Sequence, residues 1–99
     1  MYYLVKEHVF LMTLTREQEL VLGAIAGLSK EDPRVPVIIS SVHHSFPDMD
    51  VSELVPHLGV LLESGLIRNA RPTQEKISNM YVLTPEGLTY YHRNGKKSS

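Results

Sequence analysis

The stretch VSELVPHLGVLLESGLI, residues 51–67, has the pattern of an amphipathic helix that runs into a strand. Its larger apolar residues recur at helical spacing and predict one buried stripe. They are Val51, Leu54, Leu58, Leu61 and Leu62. Asp50 and Glu53 have the spacing of a capping box at the start, and Gly65 is a helix stop. Pro56 lies inside this helix and should kink or loosen its first turn.

Two more helices are predicted before this stretch. Thr15 and Gln18 form a capping-box pattern ahead of a helix whose inner face would hold Val21, Ala24, Ile25 and Leu28. Within it, Gly23 and Gly27 lie four residues apart, which indicates close packing of another element. A polar linker, SKEDPRVP, follows, and its Pro36 suits the first position of a second helix over residues 36–46.

A hairpin and a short helix are predicted after it. LIRNA and NMYVLT read as two strands around the polar segment RPTQEKIS, residues 71–78. Thr84 then caps a last helix that has Pro85 at its first position. The order predicts an α+β, mainly α fold, a winged helix-turn-helix with a three-helix core and a hairpin wing. We divide the chain into an arm or dimerisation segment (1–13), the winged-helix domain (14–93) and a flexible tail (94–99).

Charge is unevenly distributed along the 99 residues, although the net charge is only −1. Residues 1–67 hold four basic and nine acidic side chains, whereas residues 68–99 hold six basic and two acidic ones. This asymmetry could give one part of the surface a positive field. The alternative is a solvated basic tail, because Lys96 and Lys97 lie in NGKKSS.

Several classes of function find no support in the sequence. Without cysteine there are no disulfides and no thiolate metal sites, and adjacent His43 and His44 point apart on a helix, so we expect no metal and no cofactor. No phosphate loop or nucleophile motif indicates an enzyme. No apolar run approaches the roughly 18–20 residues that cross a bilayer, and the N-terminus lacks a signal-peptide pattern, so we expect a cytoplasmic protein.

The segments LVPHLGVLLESGLI and NMYVLTPEGLTYY resemble the PadR-like branch of the MarR-type winged-helix regulators. The matching positions are Leu54, Pro56, Leu58, Leu61, Gly65, Leu66, Ile67, Tyr81, Leu83, Thr84 and Gly87. The resemblance covers about residues 54–90 and implies a homodimeric transcriptional repressor that binds double-stranded DNA. Two departures stand out: Val55 replaces an aromatic residue, and Gly59 and Val60 stand where the family often has polar or basic residues.

The expected DNA-binding residues combine cations for phosphates with groups that can contact base edges. They are Arg34, Ser52, Val55, Pro56, His57, Arg68, Arg71, Thr73, Gln74, Lys76 and Asn79. A competing interpretation is a winged-helix protein-interaction module, because the third helix has no Lys or Arg and acidic neighbours would repel DNA. A partner would then contact Val55 and Val60.

The expected dimerisation residues are apolar and lie at both ends of the chain. They are Tyr3, Leu4, Val5, Val9, Met12, Tyr90 and Tyr91. The alternative for the N-terminal group is an arm or strand that packs on its own core. The sequence identifies no residues for a small-molecule effector.

Overall fold

The computed structural model describes residues 14–70 and 79–95, which form a mainly helical α+β fold. The helices are α1 (Arg16–Leu28), α2 (Ile39–His44), α3 (Val51–Glu63) and α4 (Pro85–Tyr90), and α4 continues into a π-helical turn, Tyr91–Gly95. The strands are β1 (Val37–Ile38), β2 (Ile67–Asn69) and β3 (Met80–Leu83). They form an antiparallel sheet in the order β1-β3-β2. Within the described residues, no helix has the length and apolar character needed to cross a membrane.

One apolar core joins α1, α3 and the sheet. Its buried side chains are Leu14, Val21, Leu22, Ile25, Ala26, Val37, Val42, Leu54, Leu58, Leu61, Leu66, Ile67, Tyr81 and Leu83. The α3 stripe is confirmed at Leu54, Leu58 and Leu61, but Val51 is 46% exposed because no described element covers the first turn of α3. On α1, Leu28 is exposed rather than buried.

The helix ends follow local sequence in most places. Thr15 and Gln18 form the predicted capping box. Gly65 has a φ of +75°, and its N–H and that of Leu66 donate to the carbonyls of Leu62 and Leu61, which makes a Schellman motif. The predicted capping box at Asp50 is wrong. Asp50 precedes α3 in extended conformation, and its backbone carbonyl, not its side chain, accepts from the first turn.

The prediction of a helix from Pro36 is also wrong in its first residues. Val37 and Ile38 form β1, which pairs with Tyr81 and Met80 of β3, and α2 begins only at Ile39. β-branched residues have weak helix propensity and favour strands, and here a partner strand satisfies their backbone groups. The sequence signal for this strand was too short to separate from the helix that follows.

The two motifs that carry the family resemblance meet at one place, the α3–α4 junction formed by Gly65, Leu66, Thr84 and Gly87. The Thr84 hydroxyl donates to the Gly65 carbonyl (2.6 Å) and accepts from the Gly87 N–H (2.9 Å), while the Thr84 N–H donates to the Leu66 carbonyl (3.1 Å). A Cβ on Gly87 would overlap the Leu66 carbonyl oxygen. The end of α3 and the start of α4 are therefore held in direct backbone contact.

Tyr90 ties the end of α4 back to α1. Its hydroxyl donates to Glu19 Oε2 (3.1 Å) and lies 3.4 Å from the N–H of Leu14, which donates to it. Burial raises the pKa of Tyr90 above its ordinary value, and the Glu19 carboxylate adds to the rise.

We expect Tyr90 to make stability depend on alkaline pH. Because its folded pKa is raised, its contribution is present below the unfolded tyrosine pKa of about 10 and is lost as pH rises through the folded value. Urea unfolding of the wild type and Tyr90→Phe across this range should show a steeper loss in the wild type. Identical pH dependence in the two proteins would contradict the role of the hydroxyl.

Candidate nucleic-acid interface

The connection from α2 to α3 is a tight, hydrogen-bonded turn. Nε2 of His43 lies 2.8 Å from the Met49 carbonyl oxygen, a bond that needs the proton on Nε2, and the Met49 N–H donates to the Phe46 carbonyl. Phe46 and Met49 are partly buried against the core. This turn sets the direction of α3 relative to α2. The sequence alone gave His43 no such role, because its contact is to a backbone carbonyl six residues later.

The outward face of α3 carries most of the predicted base-contacting groups. Ser52 and Pro56 are exposed, one helical turn apart, and Val55 is half-buried beside them. Pro56 has no N–H to donate to the Ser52 carbonyl, yet the helix continues unbroken through it. Both residues are at the surface, where water or a ligand can satisfy that carbonyl.

His57 lies on the flank of α3 rather than in the middle of its outward face. The residue is half-buried, and its Nδ1 is buried without a hydrogen-bond partner among the residues that the structure describes. Only the remaining ring nitrogen is therefore placed to contact an external group. Asn69, half-buried at the end of β2, has a similarly buried Oδ1.

The hairpin brings one predicted cation next to α3. Arg68 is exposed in the middle of β2 and stands opposite Val82 in the register with β3. Val82 is buried, and the aliphatic stem of an arginine can cover such a neighbour while its guanidinium stays in water. Asn79 is exposed just before β3. The other predicted hairpin residues, Arg71, Thr73, Gln74 and Lys76, lie outside the described residues.

Arg34 is held by an acidic neighbour instead of being free. Its Nε and Nη2 donate to Asp32 Oδ1 (3.2 Å) and Oδ2 (3.3 Å), and the side chain is 89% exposed. The hydrogen bond from Arg34 lowers the pKa of Asp32, and the same contact raises the pKa of Arg34. A phosphate would have to compete with this carboxylate for the guanidinium.

The surroundings of α3 are acidic in the described residues. Asp48, Asp50 and Glu53 are all exposed around its first turn, and Glu63 is exposed at its end. Arg68 is the cation that the structure places on the adjoining strand. Positive potential at this surface therefore depends strongly on the hairpin.

The predicted dimerisation residues divide into two groups. Tyr90 and Tyr91 are half-buried against their own core, and Tyr91 approaches Gly23 of α1. Tyr3, Leu4, Val5, Val9 and Met12 lie outside the described residues. The expected role of these residues in a dimer stays a prediction.

Potential metal ligands are not clustered in the described part of the chain. Across residues 14–70 and 79–95, no three His, Asp or Glu side chains are grouped so that they could hold a metal ion. Comparison with known proteins adds no further assignment, since no protein-family model, no curated protein and no solved structure matches this chain.

Proposed function

We propose that this chain is a winged helix-turn-helix transcriptional regulator that binds double-stranded DNA as a cytoplasmic homodimer and represses by occupying its operator. The single observation that supports this best is the sequence α2, tight turn, α3 and antiparallel hairpin, with one face of α3 left exposed beside the hairpin. This is the arrangement in which winged-helix proteins present a recognition helix and a wing to DNA. No catalytic role is part of the proposal.

In this proposal α3 enters the major groove. An α-helix with its side chains is about 10–12 Å across, which suits insertion into a groove about 12 Å wide. Ser52 would hydrogen-bond base edges, while Val55 and Pro56 would contact thymine methyl groups. With few polar groups on this face, sequence preference would depend partly on DNA shape.

Affinity would come mainly from phosphate contacts of the hairpin. Arg68, Arg71 and Lys76 supply positive charge along the strand and segment that follow α3. Because each half-site would gain only a few such contacts, binding should depend on duplication of the surface in a homodimer.

The salt dependence of DNA binding tests this function. We expect affinity for random duplex DNA to fall steeply as salt rises, and Arg68→Ala to reduce the slope of log affinity against log salt by about 1. Fluorescence anisotropy with a labelled duplex measures both. Arg16→Ala, which removes an exposed cation from α1 instead of the hairpin, is the matched control and should leave the slope unchanged. Salt-independent or absent binding would refute the proposal.

A second candidate, a protein-interaction module, is favoured by one specific observation. The outward side of α3 exposes Val60, bears no cation, and is bordered by the acidic residues of its first turn. Such a surface suits an apolar partner better than a phosphate backbone. Partner binding would weaken with Val60→Ser and be indifferent to Arg68→Ala, the opposite of the pattern expected for DNA.

A further inference from the structure

One backbone carbonyl on the outward face of α3 cannot make its usual hydrogen bond within the helix. In an α-helix each N–H donates to the carbonyl four residues earlier, so the Ser52 carbonyl would accept from residue 56. That residue is Pro56, which has no N–H, and the helix nevertheless continues to Glu63. The Ser52 carbonyl therefore lacks the partner that its neighbours in α3 have.

This carbonyl can be reached from outside the protein. Ser52 and Pro56 are both exposed, one helical turn apart. Carbonyls on the solvent side of a helix tilt outward, and a proline ring pushes the carbonyl four residues earlier away from the helix axis. The Ser52 carbonyl oxygen is therefore open to a hydrogen-bond donor that approaches the outward face of α3.

The packing of the described residues does not explain Pro56. It is exposed, and it belongs neither to the buried core nor to the residues packed against that core. A proline inside a helix destabilises the helix, so its position on an exposed face has a cost without a packing gain. The free Ser52 carbonyl is the consequence of this proline that a ligand can use.

The exposed polar groups at the start of α3 are mostly oxygen acceptors. Glu53 is exposed beside Ser52, and Asp48 and Asp50 are exposed just before it. The helix sequence, VSELVPHLGVLLE, contains no Lys, Arg, Asn or Gln, the side chains that most often donate hydrogen bonds to bases and phosphates. This end of the helix is therefore suited to a ligand that donates hydrogen bonds.

Only one class of DNA group in the major groove can donate to a carbonyl. The phosphate oxygens and the ring nitrogens and carbonyl oxygens at the base edges are acceptors, whereas the exocyclic amino groups of adenine and cytosine are donors. We propose that the Ser52 backbone carbonyl accepts a hydrogen bond from such an amino group, and that Pro56 determines this preference by keeping the carbonyl out of the helix. The inference rests on the proposed function and adds the class of base that α3 selects.

Selection of sites from a pool of random duplexes, followed by base-analogue substitution, tests this contact. Each selected half-site should have one position at which the amino-bearing base, adenine or cytosine, always lies on the same strand. An amino-free duplex carries at this position an analogue that lacks only the exocyclic amino group, purine for adenine or pyrimidinone for cytosine. The wild type should bind it about threefold to tenfold more weakly than the selected duplex.

Three variants separate the carbonyl from other causes of this loss. Pro56→Val keeps an apolar side chain but restores the N–H, so it should melt about 4 °C or more higher and bind both duplexes equally. Ser52→Ala removes the hydroxyl but keeps the carbonyl, and should still discriminate about threefold to tenfold. Gly27→Ala stabilises a helix away from this face, since its Cβ meets no described atom within 4 Å, and should discriminate like the wild type.

The proposal is overturned if the wild type binds the amino-free duplex as tightly as the selected one, or if Pro56→Val still distinguishes the two. It is equally overturned if Ser52→Ala no longer distinguishes them, because the hydroxyl would then be the acceptor. Failure of the proposed function gives a different result. Absent or salt-independent DNA binding by the wild type refutes the regulator and this contact together, whereas salt-dependent binding that ignores the amino group keeps the regulator and refutes the contact alone.

Discussion

Replacing Gly87 by alanine is expected to lower the free energy of unfolding by about 3 kcal/mol or more. A Cβ at this position would overlap the Leu66 carbonyl oxygen and lie 2.9 Å from its carbonyl carbon. Both are backbone atoms at the junction of α3 and β2. Leu83 Cδ1 lies 3.1 Å from the same Cβ position. No side-chain rotation can relieve the overlap, so α4 must move away from the strand.

Thermal unfolding followed by circular dichroism measures this effect. A loss of 3 kcal/mol corresponds to a fall in melting temperature of roughly 12–24 °C for a domain of this size. Gly59→Ala is the matched control, because a Cβ there meets no described atom within 4 Å and alanine is the better helix former. We expect the control to be neutral or stabilising by about 0.5–1 kcal/mol. A Gly87→Ala protein as stable as the wild type would show that the α3–α4 junction is not closely packed.

Replacing Thr84 by valine is expected to cost about 2–4 kcal/mol by removing the hydroxyl from the same junction. The hydroxyl donates to the Gly65 carbonyl and accepts from the Gly87 N–H, and Thr84 is 8% exposed. Valine keeps the shape of the side chain but leaves the buried Gly87 N–H and the part-buried Gly65 carbonyl without their partner. The first turn of α4 also loses its cap.

Two variants distinguish the loss of the Thr84 hydroxyl from the general effect of a substitution in this part of the chain. Thr84→Ser retains the oxygen and should keep most of the stability measured by urea unfolding. Thr89→Val removes a hydroxyl that bonds the Pro85 carbonyl in an exposed part of α4, and should change stability by less than about 0.5 kcal/mol. Equal losses for Thr84→Val and Thr84→Ser would show that the hydrogen bonds at the junction contribute little.

The candidate interface was predictable where a local pattern defines a helix face. Periodicity on α3 separates the buried Leu54, Leu58 and Leu61 from the exposed Ser52 and Pro56. The same periodicity wrongly predicted that Val51 is buried. A helical pattern shows which face a residue lies on, but not whether a neighbouring element extends far enough to cover it. The sequence pattern also did not predict the ion pair between Arg34 and Asp32, because this contact depends on the conformation of the linker.

By itself, the sequence determined the extent of α1 and α3, the buried Leu54, Leu58 and Leu61 of α3, the Thr15 capping box, the stop at Gly65 and the pairing of β2 with β3. These features depend on short-range chemistry: side-chain periodicity, capping hydroxyls, and a glycine that tolerates positive φ. Only the tertiary structure decided that Val37 and Ile38 form a strand, because their partners Tyr81 and Met80 are far along the chain. Only the tertiary structure, too, explained Gly87, whose missing side chain lets α4 lie directly on the Leu66 carbonyl.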